Sequence, residues 1–115
     1  MNRLVVIAAA AALATLPGLP ASAKSLTFTV KNTSKYIISS FQSNEGNGWS
    51  KNWIRSDIGS GQSRALEFLQ DGPCEIEVRV GWRTTDGGQQ VGDAWEIDIC
   101  EAHTVYFDGR KVTFD

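Results

Sequence analysis

One histidine, one methionine and two cysteines among 115 residues remove most of the chemistry that a small protein can perform. Met1 is the sole thioether, His103 the sole imidazole, and Cys74 and Cys100 the sole thiols. Zinc, copper and haem centres need imidazole or sulfur ligands in numbers that this chain does not supply. A Gly-x-Ser-x-Gly elbow and a phosphate-cradling glycine loop are both missing. So is any polybasic stretch, and with it the electrostatic footprint of a nucleic-acid binder or of a segment drawn to anionic lipid. No cofactor, metal or nucleic-acid partner is therefore expected. Helical spacing of apolar residues is also lacking from Leu26 onward.

The longest apolar run, Leu4 to Leu16, has 13 residues, short of the roughly 20 that a helix needs to cross a bilayer. Arg3 precedes it, and Ala21-Ser22-Ala23 closes it with small side chains. Residues 1–23 thus read as a helical, cleavable secretory signal peptide. With neither a twin-arginine pair nor a cysteine after the cleavage point, the general export route without a lipid anchor is expected. Lys24 to Asp115 would then be a single domain in the bacterial periplasm or outside the cell, with no membrane insertion once the signal is removed. Loss of Arg3 takes its formal net charge from −2 to −3. In an oxidising compartment Cys74 and Cys100 are expected to form a disulfide. Closing a loop of about 27 residues, it should stabilise the fold by about 3.5 kcal/mol.

Period-two alternation organises the rest. Leu26, Phe28 and Val30 alternate with Thr27, Thr29 and Lys31 as a half-buried strand. Asn32-Thr33-Ser34 follows as a turn and has the form of a glycosylation acceptor. Further strands are expected over Tyr36 to Gln42, Arg64 to Leu69, Cys74 to Trp82, Ala94 to Cys100, Thr104 to Phe107 and Arg110 to Phe114, with Asp108-Gly109 as a two-residue hairpin turn. About seven short strands separated by turn residues specify an all-β domain, an antiparallel β-sandwich with one disulfide; a small barrel is the alternative. Cys100 has the opposite parity to Trp95, Ile97 and Ile99, so either a bulge falls near it or it lies beyond the regular strand.

Four tryptophans punctuate the chain. Trp82 and Trp95 lie in or beside strands and are expected to fill the space between sheets. Trp49 and Trp53 sit among polar neighbours, and with Asn47 and Asn52 they form a candidate contact surface; the competing reading has at least one of them plugging an end of the sandwich. Glu75, Glu77, Glu96 and Asp98 occupy the polar faces of two strands taken as partners. If Ile76 lies opposite Ile99, Glu77 opposes Asp98 and Arg79 opposes Glu96. A solvated face accounts for this cluster, and the alternative is a cation such as Ca²⁺ held by Glu77, Glu96 and Asp98. His103 reads as a sheet-end or satisfied core residue rather than a catalyst.

Val30-Lys31-Asn32, the tryptophan-bearing stretch Trp49 to Ile54, Gly61-Gln62-Ser63, the cysteine-led strand Cys74 to Val80 and Ile97-Asp98-Ile99-Cys100 together resemble a family of small exported bacterial domains of undefined function. The resemblance spans most of Lys24 to Asp115 and implies a fold rather than catalytic residues. The expectation is a non-enzymatic exported β-sandwich that acts by surface contact with a protein or glycan partner. The alternatives are a proteinaceous inhibitor of an envelope or host hydrolase and a Ca²⁺-dependent carbohydrate-binding module.

Overall fold

The apolar side chains that alternate along the sequence meet in the space between two sheets. The structure, a computed structural model, describes residues 24–70 and 72–115; the signal peptide expected over residues 1–23 lies outside the described residues. The strands are β1 (Lys24–Asn32), β2 (Ile38–Asn44), β3 (Ser63–Gln70), β4 (Glu75–Arg83), β5 (Gln89–Val91), β6 (Trp95–Asp98), β7 (Thr104–Phe107) and β8 (Val112–Phe114). One sheet has the order β3-β1-β7-β8; in the other, β4 pairs with β2 along one side and with β5 and β6 along the other. Two separate sheets make this a sandwich and not a closed barrel. Phe28, Val30, Phe68, Val105 and Phe107 from the first sheet pack on Ile38, Phe41, Ile76, Val78, Val80 and Ile97 from the second, all buried. Phe41 lies at the centre, with ring centroids 5.8 Å from Phe28 and 6.1 Å from Phe107.

Direction and register depart from the alternation pattern in four places. β1 and β7 pair in parallel, Thr29 beside Thr104 and Asn32 beside Phe107, whereas every other strand pair is antiparallel. Alternation records which face is buried and is blind to strand direction. β5 is an additional strand within the expected loop after Trp82. The last hairpin pairs Phe107 with Val112, so its loop is Asp108 to Lys111, four residues rather than two. In the β4–β6 pair Ile76 lies opposite Ile97, not Ile99, which sets Glu77 against Glu96 and Glu75 against Asp98. This shift of two residues keeps every side chain on its expected face, which is why periodicity alone could not detect it.

Cys74 and Cys100 are bonded, with Cα atoms 5.2 Å apart. Cys100 lies beyond the end of β6, in the turn that follows, which resolves its parity without a bulge. The Ile99 N–H still donates to the Cys74 carbonyl at 2.8 Å. A formed disulfide belongs to an oxidising, non-cytoplasmic environment. Among the described residues no helix is long and apolar enough to cross a membrane.

One buried polar side chain fixes the corner where the chain leaves β1 for the opposite sheet. Asn32 is 0% exposed. Its Nδ2 donates to the carbonyls of Tyr36 (2.7 Å) and Ile58 (3.0 Å), and its Oδ1 accepts from the Ser34 N–H (2.9 Å) and hydroxyl (2.6 Å). Its backbone N–H reaches the Gln62 carbonyl and its carbonyl receives the Gly61 N–H. The carboxamide thereby ties the turn from Ser34 to Tyr36 to Ile58, and the Asn32 backbone adds Gly61 and Gln62. The Asn32 nitrogen that would carry a glycan is committed inside this knot.

Candidate functional site

The segment after β2 folds back along that strand. Asn44 Oδ1 accepts the N–H groups of Gly46 (2.7 Å) and Gly48 (3.2 Å), both glycines at φ 112°, a left-handed conformation that side-chain-bearing residues rarely adopt. Returning, Ser50 N–H donates to the Ser43 carbonyl and Trp53 N–H to the Phe41 carbonyl, while the Asn52 carboxamide oxygen accepts from Phe41 N–H at 2.9 Å and Ile54 N–H at 3.1 Å. The Trp53 indole donates to Ser50 Oγ at 2.7 Å and stacks on Phe68, centroids 5.3 Å apart and planes 25° from parallel. Trp53 therefore closes one flank of the core, and Asn52 completes the edge of β2. Trp49 faces elsewhere: the Arg79 guanidinium sits 4.0 Å from its ring centroid, on the outer face of the second sheet, where Arg79 Nε also donates to Gln42 Oε1 at 2.9 Å. Asn47 is exposed at the loop tip. The four residues of the expected contact surface do not form one face; Trp49 and Asn47 are outside, and Trp53 and Asn52 serve the fold.

The acidic residues share the outer face of β4 and β6 but do not enclose a point. Glu77 and Glu96 are opposed and exposed, while Asp98 stands one pair along and uses its carboxylate to accept the N–H groups of Cys100 (3.0 Å) and Glu101 (3.3 Å). Among the described residues the group of ligand-type atoms that closes within 4.8 Å is Cys74, Asp98 and Cys100. Its sulfurs are bonded to each other and offer no thiolate. His103 is exposed ahead of β7, its N–H on the Asp115 carbonyl.

A hollow of about 440 Å³ lies beside Ser50, Asn52, Trp53 and Arg55, and a separate concave feature lies at the opposite flank, where the edge formed by β7 and β8 stands over β5 and β6. A cavity of about 220 Å³ opens there. Val80, Phe107 and Val112 contribute its apolar surface, Trp82 and Trp95 line it, and Gln90, Asp93, Arg110 and Lys111 bring polar groups. Both tryptophans are half-buried rather than enclosed; Trp82 packs against the core between the sheets, and each keeps an accessible side. Gly92 lets the Trp82 ring lie close, since a Cβ there would meet Trp82 Nε1 at 2.9 Å. A second hollow continues past Trp82 to Tyr36, Arg83 and Thr85. Tyr36 meets Trp82 edge-on at 6.3 Å.

The cations of this flank are held differently. Arg83 is committed to Asp57 through two contacts, Nη2 to Oδ1 at 2.8 Å and Nε to Oδ2 at 3.3 Å, and the pair raises the Arg83 pKa above its ordinary value. Arg110 and Lys111 are presented by a backbone device instead. Asp108 Oδ1 accepts their N–H groups at 2.7 and 2.8 Å, and Gly109 supplies a φ of 93°. These amides, Lys111 first, hold the Asp108 carboxyl below the usual carboxylate range. Among the described residues neither side chain has a salt bridge or a hydrogen-bond acceptor. Arg110-Lys111 is the one place in the sequence with two adjacent basic residues, a signal that could have marked this rim. The convergence of Trp82 with Trp95 had no such signal, since it depends on the β4–β6 register. Comparison with protein-family models, with curated proteins and with solved structures gives no match to this chain.

Proposed function

We propose that this chain is an exported, non-enzymatic domain that acts by surface contact, and that its contact site is the cleft between Trp82 and Trp95 rather than the Trp49 to Trp53 segment. The observation that carries this reading is the pairing of accessible indoles with two uncommitted cations at one concave edge, an arrangement that anchors partners by aromatic and charged groups together. The disulfide and the apolar leader with its small-residue end support secretion into the periplasm or beyond the cell. The resemblance to small exported bacterial domains fits the same destination.

The test is affinity capture of envelope and extracellular material on the immobilised protein, compared with Trp95→Ala and Trp49→Ala. A partner retained by Trp49→Ala and lost by Trp95→Ala, with both variants folded by near-ultraviolet circular dichroism, supports the cleft. The reverse pattern assigns contact to the β2 loop and overturns the placement. Turnover of any captured molecule would overturn the non-enzymatic reading.

A further inference from the structure

We infer that the cleft receives a single carboxylate-bearing sugar ring, a uronic acid unit of an anionic polysaccharide; this rests on the reading that the cleft is the contact site. Its volume of about 220 Å³ lies below the roughly 300–1,000 Å³ typical of sites for drug-sized ligands, so one ring enters and the remainder of a chain continues outside. Two indoles line that space. Their negative π faces attract the weakly positive C–H face of a pyranose, as they attract aromatic edges.

The polar groups narrow the class further. Among the described residues no acceptor takes the indole N–H of Trp82 or Trp95, and none takes the side-chain N–H groups of Arg110 or Lys111. Donors are in excess at this site, so the ligand must bring acceptor oxygens. Arg110 supplies the planar fork that matches a carboxylate, with Lys111 as a point charge beside it. Of the two other polar side chains on the cavity, Asp93 accepts hydrogen bonds and Gln90 both accepts and donates. A ligand made only of anionic groups would be repelled by Asp93, whereas a ring with hydroxyls donates to Asp93 and Gln90 and accepts from the indoles. One negative charge, several hydroxyls and an apolar face on one ring describe a uronic acid. An acidic peptide offers the charge without the hydroxyls.

Trigalacturonate, galactotriose and triglutamate separate these cases when titrated into the ¹⁵N-labelled protein and followed at the indole N–H resonances. Trigalacturonate should shift the Trp82 and Trp95 indoles together, with galactotriose about tenfold weaker for want of the charge-assisted pair. Arg110→Ala combined with Lys111→Ala, on an exposed loop that leaves the core untouched, should reduce trigalacturonate affinity by about tenfold, and Trp95→Ala should abolish the response. Equal binding of galactotriose, or an unaltered affinity in the double variant, overturns the inference. Triglutamate binding as tightly at the same indoles overturns the sugar class while leaving the cleft as the contact site. No shift at either indole up to about 5 mM trigalacturonate overturns the inference too; if captured partners also survive Trp95→Ala, the cleft reading fails with it.

Discussion

At the scale of single residues, stability concentrates where a buried polar group has no alternative partner. Asn32 is the clearest case, with four hydrogen bonds from one carboxamide on a residue that is itself fully buried. Asn32→Ala leaves the buried Ser34 N–H without its acceptor and removes one of two donors from each of the Tyr36 and Ile58 carbonyls, and an unsatisfied buried group costs roughly 1–3 kcal/mol. A loss of about 3 kcal/mol is expected in urea unfolding; a loss under about 1 kcal/mol would show that the corner is held by other means. Asp108 makes a different kind of prediction because it is exposed. Its pKa is lowered in the fold by the Lys111 and Arg110 amides, so the turn gains from the ionised form. That gain is present above the unfolded value of about 3.9 and is lost as pH falls through the lower folded value. In an acid titration the Arg110 and Lys111 amide resonances should therefore move with a midpoint below about 3.9, and a midpoint above it would remove Asp108 as the holder of the cationic rim.

At the scale of elements, what was legible in the sequence is what alternation encodes. β1, β3, β4 and β7 carry apolar residues at every second position over four or more residues, and each lies where that pattern puts it. β5 does not: Gln89, Gln90 and Val91 are all exposed. It exists because Gly81, Trp82 and Arg83 of β4 extend a ladder to it and because the side chain of Gln89, paired with Arg83, reaches over Gly81, where a Cβ would come within 2.6 Å of it. No periodicity announces a strand held by its neighbour. Trp49 and Trp53, alike in their polar surroundings, diverged for the same reason: only pairing with Phe41 decides which one turns inward. Trp53→Ala should cost about 3 kcal/mol in urea unfolding through loss of the Phe68 stack, and Trp49→Ala under about 1 kcal/mol; the opposite ranking would contradict their assignment. The disulfide acts on a weak element, since β6 has four residues and its end is tied to the start of β4. Replacing Cys74 and Cys100 together by Ser should lower stability by about 3.5 kcal/mol, measured as a shift in denaturant midpoint, with β6 amides exchanging first.

At the scale of the whole molecule, a sandwich must manage the outer edges of its two sheets, and they are unequally protected. The free side of β2 is covered by the return segment, through Ser50, Asn52 and Trp53 and then the bridge between Ile38 and Ile58. On the far side of the same sheet β5 and β6 have three and four residues, and β8 in the other sheet has three. Too short to template a long ladder, they leave that flank free to form the cleft. Among the described residues β3 is the exception, with eight residues at the margin of its sheet and β1 as its one strand partner. Its outer-face residues are Ala65, Glu67 and Leu69, and Leu69 is 66% exposed. Only Glu67 places a charge on that face, and it already accepts the Ser25 hydroxyl at 2.6 Å. Edge-to-edge association on heating should therefore begin at β3. Leu69→Lys adds a charge to the edge while giving up little buried surface, so the thermal midpoint should stay within about 2 °C and heat-induced aggregation followed by light scattering should slow. Aggregation that proceeds at the parental rate, with the midpoint unchanged, would shift the vulnerable edge to β8 and set self-association in competition with ligand at the cleft.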